Sequence, residues 1–67
     1  MEHIIKRVKD EKSELDGKII KLQIFLNGDE SKEITAEHFR LLGYQFQAMK
    51  LYSNILNDRL NLLENNV

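Results

Sequence analysis

Apolar residues in the first part of the chain recur at alternating steps of three and four. Ile5, Val8, Leu15, Ile19, Leu22 and Leu26 keep this rhythm, with Lys12 as the one polar member. The spacing lines them up along one stripe of a helix and predicts an α-helix over residues 2–27. Gly17 falls on the opposite face, where it weakens the helix by ~1 kcal/mol relative to alanine without breaking it. The rhythm stops at Asn27-Gly28-Asp29-Glu30-Ser31-Lys32-Glu33, a polar run that predicts a loop over residues 28–34. Gly28 is expected there in the left-handed conformation that ends many helices.

Thr35 reads as an N-cap whose side-chain oxygen accepts from free N–H groups of the next turn. Ile34 and Phe39 stand at staple positions around it, and Glu37 suits the positive end of a helix. A second helix is therefore predicted over residues 35–64, with a seam of Phe39, Leu42, Phe46, Met49, Ser53, Leu56, Leu60 and Leu63. A second stripe accompanies it: Leu41, Tyr44, Ala48, Leu51, Tyr52, Ile55 and Leu62. The short loop makes the helices antiparallel neighbours. The expected fold is all-α, one helical-hairpin domain over residues 1–67.

One partner helix covers one stripe, so the second stripe of the second helix stays in water, as do Ile4, Ile20, Ile24 and Phe25. Such a patch exceeds what a soluble monomer usually tolerates, and closed self-association is the economical remedy. Leu41, Tyr44, Ala48, Leu51, Ile55 and Leu62 are the expected interface of a compact homo-oligomeric helical bundle.

Composition supports this. A chain of 67 residues is marginal without a metal, disulfides or self-association. It has no cysteine, and His3 and His38 lack metal-ligand spacing, so no metal and no cofactor is expected. His38, close to the helix start, reads as a surface or capping-region residue. A net charge of −1 argues against a general DNA binder. No apolar run is long enough to span a membrane and the first residues lack a signal-peptide core, so a cytoplasmic setting is expected.

Catalytic motifs are missing: no Gly-rich phosphate loop, no nucleophile elbow and no Cys/His pair, so no enzyme and no catalytic residue is expected. Asp10, Glu11, Glu14 and Asp16 alternate with lysines and read as a solvated face. Lys12, inside the seam, either sets register and snorkels or meets an anionic ligand at an oligomer interface. Ser53 reads as a small residue at a helix crossing. Tyr52 and Arg59 either cover core edges or bracket a patch that stacks a base and pairs a phosphate. Lys6, Arg7, Lys9 and Lys12 make the start of the first helix basic, and in an antiparallel hairpin Arg59 adds to them. Repeated by symmetry, this becomes a cationic pocket between copies.

A resemblance follows from these residues. Arg7-Val8-Lys9-Asp10-Glu11-Lys12-Ser13-Glu14-Leu15, then Lys18, Lys21-Leu22 and Phe25-Leu26, then Leu41-Leu42, Gln45, Ala48-Met49, Tyr52, Leu56 and Arg59-Leu60 resemble the small phage proteins of the anti-CBASS cyclic-nucleotide sponge family. The shared pattern runs R-V-x-x-E-x-x-E-L, K-L-x-x-F-L, a polar insert, then L-L-x-x-Q-x-x-A-M-x-x-Y-x-x-x-L-x-x-R-L, across nearly the whole chain. The resemblance implies a homo-oligomer, a hexamer in the best-known members. It also implies an immune-evasion role in the host bacterial cytoplasm: capture, without cleavage, of cyclic dinucleotides and, in separate inter-subunit pockets, cyclic trinucleotides. Family members often carry a base-stacking tyrosine just after the glutamate matched by Glu11, where this chain has Lys12, so the dinucleotide pocket is altered in that respect. Lys9, Lys12, Tyr52 and Arg59 are the ligand-binding residues expected on this reading. The alternative is a helical interaction module that holds a host protein through its exposed apolar stripe.

Overall fold

A computed structural model describes residues 2–65 of the chain. The order is helix α1, Glu2–Asn27, a 3₁₀ turn, Asp29–Glu33, and helix α2, Ala36–Asn65. The two helices lie side by side in a rod of 49 × 15 × 13 Å. At ~1.5 Å per residue the length is essentially that of α2 alone, so nothing thickens the hairpin beyond two helices.

The start of α2 is built as the sequence predicts. The Thr35 Oγ1 accepts from the His38 N–H at 3.0 Å, and the Thr35 carbonyl accepts from the Phe39 N–H at 2.9 Å. The end of α1 differs from expectation. Gly28 is extended, with φ −100° and ψ 174°, and does not take the left-handed conformation. Its N–H donates to the Phe25 carbonyl at 3.2 Å, and its own carbonyl accepts from the Ser31 hydroxyl at 2.8 Å. A glycine fits for a steric reason instead: a Cβ there would lie 3.1 Å from the Ile24 carbonyl oxygen. The polar insert thus closes α1 through a 3₁₀ turn with its own hydrogen bonds rather than through a left-handed cap.

The core consists of Val8, Leu15, Leu56 and Leu60, flanked by Ile5, Ile19, Met49 and Leu63. These residues come from the two predicted seams and meet in the half of the hairpin away from the turn. Toward the turn the seam thins: Leu22, Leu26, Leu42 and Phe46 are half-buried, and Phe39 is exposed. The register explains why. Ser53 sits across from Asp16, so in an antiparallel pair Asn27, where α1 ends, falls opposite Leu42. Phe39 then faces only the polar turn. Phe25, expected in the open, is half-buried at this end.

The hairpin exposes more surface than a self-sufficient domain of its size. Its accessible area is 5409 Å² for 7.9 kDa. A compact monomer of that mass exposes about 4,400 Å². The surplus, on the order of 1,000 Å², matches what one partner contributes to a standard protein–protein interface.

Candidate functional site: an arginine-lined cleft beside a polar node

Polar chemistry enters the seam at one level. Asp16 accepts from the Lys12 Nζ at 2.7 Å and from the Ser53 Oγ at 2.5 Å, the second bond crossing from α2 to α1. Asp16, expected on a solvated face, is half-buried, which corrects that expectation; Ser53, expected as a small residue at a helix crossing, is buried there and also hydrogen-bonds across it. Ser53 is buried, Asp16 and Lys12 are half-buried, and the three side chains tie the helices together. Lys12 and Ser53 are the polar members of the two seams, and Asp16, one turn along from Lys12, joins them.

The Lys12 ammonium first, and the Ser53 hydroxyl second, hold the Asp16 carboxyl below its ordinary pKa of 3.8. A carboxyl with a depressed folded pKa contributes stability above its unfolded value, and the contribution is lost as pH falls through the lower folded value. Asp16→Asn should therefore reduce the stability difference between pH 7 and pH 3. Ser53→Ala should cost about 1 kcal/mol at neutral pH. Urea denaturation midpoints at both pH values check both effects, and an unchanged difference in Asp16→Asn would remove Asp16 as a stabilising group.

Two clefts flank this seam. The first, about 240 Å³, is lined by Ile4, Arg7, Val8, Glu11 and Arg59. Arg7 and Glu11 come from one flank of α1, and Arg59 reaches in from α2. Among the described residues, Arg7, Arg59 and Glu11 form no ion pair, with one another or with any other group. Two guanidiniums and a carboxylate thus share one opening with their hydrogen-bonding capacity unspent. The second cleft, about 460 Å³, is lined by Lys9, Lys12, Ser13, Asp16, Gly17, Ile20 and Leu60. Here Lys12 is engaged by Asp16, and the Lys9 Nζ lies 3.9 Å from the Glu64 carboxylate across the helices.

The four residues singled out from sequence are therefore not brought together within one chain. Lys9 and Lys12 share the second cleft, Arg59 lines the first, and Tyr52 lines neither. Arg7 and Glu11 are not among those four. The basic start of α1 and the antiparallel arrangement point to Arg7 near Arg59, as the cleft has them, and Glu11 stands in the same sequence pattern. The usable signal was their place in the R-V-x-x-E string, one helical turn apart.

The second stripe of α2 is open. Leu41, Tyr44, Ala48, Leu51, Ile55 and Leu62 are all exposed, up to 71% at Leu62. At ~100° per residue the stripe lies about 140° around the helix from the seam, out of reach of α1. Ile20 and Ile24 on α1 are exposed as well. Among the described residues, no three or more His, Cys, Asp or Glu side chains gather to hold a metal ion. Nor is any of their helices long and apolar enough to cross a membrane.

Fold and cleft together define a class, a small helical hairpin with charged groups lining an opening on one flank. A family profile described as Sequestin matches residues 2–62, and the chain belongs to the Sequestin family. That name suggests a sequestering, binding role. No curated protein and no solved structure matched the chain.

Proposed function

We propose that this protein binds cyclic oligonucleotide second messengers and withholds them from their receptors without cleaving them, as a phage countermeasure to nucleotide-signalled bacterial immunity. One observation carries the reading. Arg7, Val8, Glu11 and Arg59, from opposite ends of the sequence pattern that resembles the sponge family, line a single cleft. Guanidinium groups recognise phosphate by paired, charge-assisted hydrogen bonds, and these two form no ion pair among the described residues.

The size of the cleft bears on assembly. At about 240 Å³ it falls below the ~300–1,000 Å³ typical of small-molecule sites, so one chain supplies one wall and another copy the rest. The open stripe of α2 gives the means, a homo-oligomer joined through Leu41, Tyr44, Ala48, Leu51, Ile55 and Leu62, with six copies as in the family it resembles. Lys9 and Lys12 contribute positive charge from the neighbouring cleft, and Tyr52 a stacking surface from an adjoining copy. Sequestration needs only stoichiometric protein and tight binding; ~1 nM corresponds to about −12 kcal/mol.

Thermal denaturation with cyclic di- and trinucleotides at about 100 μM tests this. A ligand present at about a hundred times its Kd stabilises by ~2.7 kcal/mol, which raises Tm by roughly 10 °C or more for a domain this small. Arg7→Ala and Arg59→Ala should each remove most of the shift while leaving the oligomer intact, and the nucleotide should be recovered unbroken. A flat response across the panel would end this reading. The exposed stripe also fits a module that grips a host protein. Light scattering separates the two, since a closed oligomer of one size leaves no stripe for a host partner.

A further inference from the structure

Two helices packed along heptad seams can slide past each other by one repeat without turning either seam away from its partner. Apolar burial leaves one such slide open to this chain, with α2 moved a heptad toward the start of α1. The whole α1 seam, from Ile5 to Leu26, would still face α2. Leu60 and Leu63 would run out at the start of α1. In exchange Phe39, now exposed, would be covered at the level of Leu22, and the half-buried Leu42 and Phe46 would move to the middle of the hairpin. The residues between Asn27 and Thr35 still reach across packed helices, which lie ~10 Å apart, at ~3.3 Å per residue. The opposite slide carries Ile5 and Val8 past Asn65, where α2 ends, and lost burial excludes it.

Polar groups separate the two remaining offsets. Ser53 is buried, and its hydroxyl donates to one oxygen of Asp16 at 2.5 Å, while the other oxygen takes the Lys12 ammonium at 2.7 Å. Among the described residues no buried side-chain polar atom lacks a partner. After the slide Ser53 would stand at the level of Val8 and Lys9, and Asp16 at the level of Phe46. The bond between the helices would be gone, with its hydroxyl set against Val8. A buried hydrogen bond to a charged acceptor is costly to leave unmade, whereas the exchange of apolar cover is closer to even.

We infer that the Lys12–Asp16–Ser53 node is a register key, holding α2 at one of two offsets that the apolar seams accept and so positioning Arg59 at the level of Asp10 and Glu11. At the other offset Arg59 would lie about 10 Å nearer the start of α1, level with His3, and Glu64 would pass out of reach of Lys9. This holds whatever the cleft binds. Spin labels at Lys6→Cys and Gln47→Cys, both exposed positions in a chain without other cysteines, report the offset. Labelled chains are refolded with excess unlabelled protein, so that double electron–electron resonance reads distances within one chain. The intact node should give a single distance, and the slide shortens the separation along the rod by about 10 Å. Ser53→Ala should bring the shorter distance into roughly a tenth of molecules or more, with helix content by circular dichroism unchanged. Lys12→Leu/Ser53→Leu, with both seams wholly apolar, should raise that share further. Asp16→Asn keeps an acceptor for the Ser53 hydroxyl and should keep the single distance. A node that serves stability alone would lower the urea midpoint of Ser53→Ala and leave the distance where it was. One unshifted distance in both Ser53 variants overturns the register key; if the double variant loses its helices, Ser53→Ala decides alone.

Discussion

Leu56→Ala is expected to destabilise the hairpin by about 3 kcal/mol, the largest effect of any single truncation in the chain. Leu56 has no exposed surface and stands at the centre of the core with Val8, Leu15 and Leu60. Removing its branched end forfeits both the transfer free energy of the lost carbons and their dispersion contacts, because two rigid helices cannot close around the void. A domain of this length has a total stability of only ~3–10 kcal/mol, so the loss is a large share of the whole. Tm should fall by roughly 12 °C or more at fixed protein concentration. Leu62→Ala provides the contrast, since Leu62 is 71% exposed in the single chain. Within one hairpin its truncation should cost less than ~0.5 kcal/mol. A larger, concentration-dependent loss at Leu62 would locate that side chain between copies. A loss below ~1 kcal/mol at Leu56 would mean that this seam does not hold the helices together.

The second large effect concerns assembly. The hairpin is expected to self-associate at micromolar concentration, and Leu51→Glu should weaken that association by more than about a hundredfold. Leu51 is 62% exposed at the middle of the stripe formed by Tyr44, Ala48 and Ile55. A carboxylate in an apolar interface must shed its water without an ion partner, and symmetry repeats that cost in every copy. Asn54→Glu adds the same charge on a different face of α2 and should leave association unchanged. Sedimentation velocity on the three proteins decides the matter. A wild type that sediments as a single chain at these concentrations would remove the interface, and with it the second wall of the proposed nucleotide site.

Much of this architecture is legible before any coordinates. Both helices, the polar insert and the Thr35 cap follow from spacing and capping chemistry, because a helix face is a local property of residues three and four apart. The open stripe is legible for the same reason, since two apolar stripes so far apart on α2 cannot meet one α1. Gly28 was misjudged because a glycine after a helix answers to two different demands, left-handed torsion angles or close approach of a carbonyl, and composition does not separate them. Here the carbonyl of Ile24 is the constraint.

The candidate site was less legible than the fold. Arg7 and Arg59 share a cleft, while Lys9 and Lys12 fall on the other flank of α1. The seam of α1 sets which flank each charge takes, since Arg7 and Lys9 lie about 200° apart around the helix, but which α2 side chain lines each cleft depends on the packed pair. Register is of the same kind. A seam that alternates three and four looks alike after a slide of seven residues, so the apolar pattern is satisfied at several offsets. The Asp16–Ser53 bond distinguishes them, and it exists only once the helices are side by side. The chain's own periodicity was therefore enough to define two helices, their buried faces and a surplus apolar stripe. Which residues from opposite ends of the chain meet in one cleft was decided by packing, because partner choice across a seam is a property of two elements together and of neither alone.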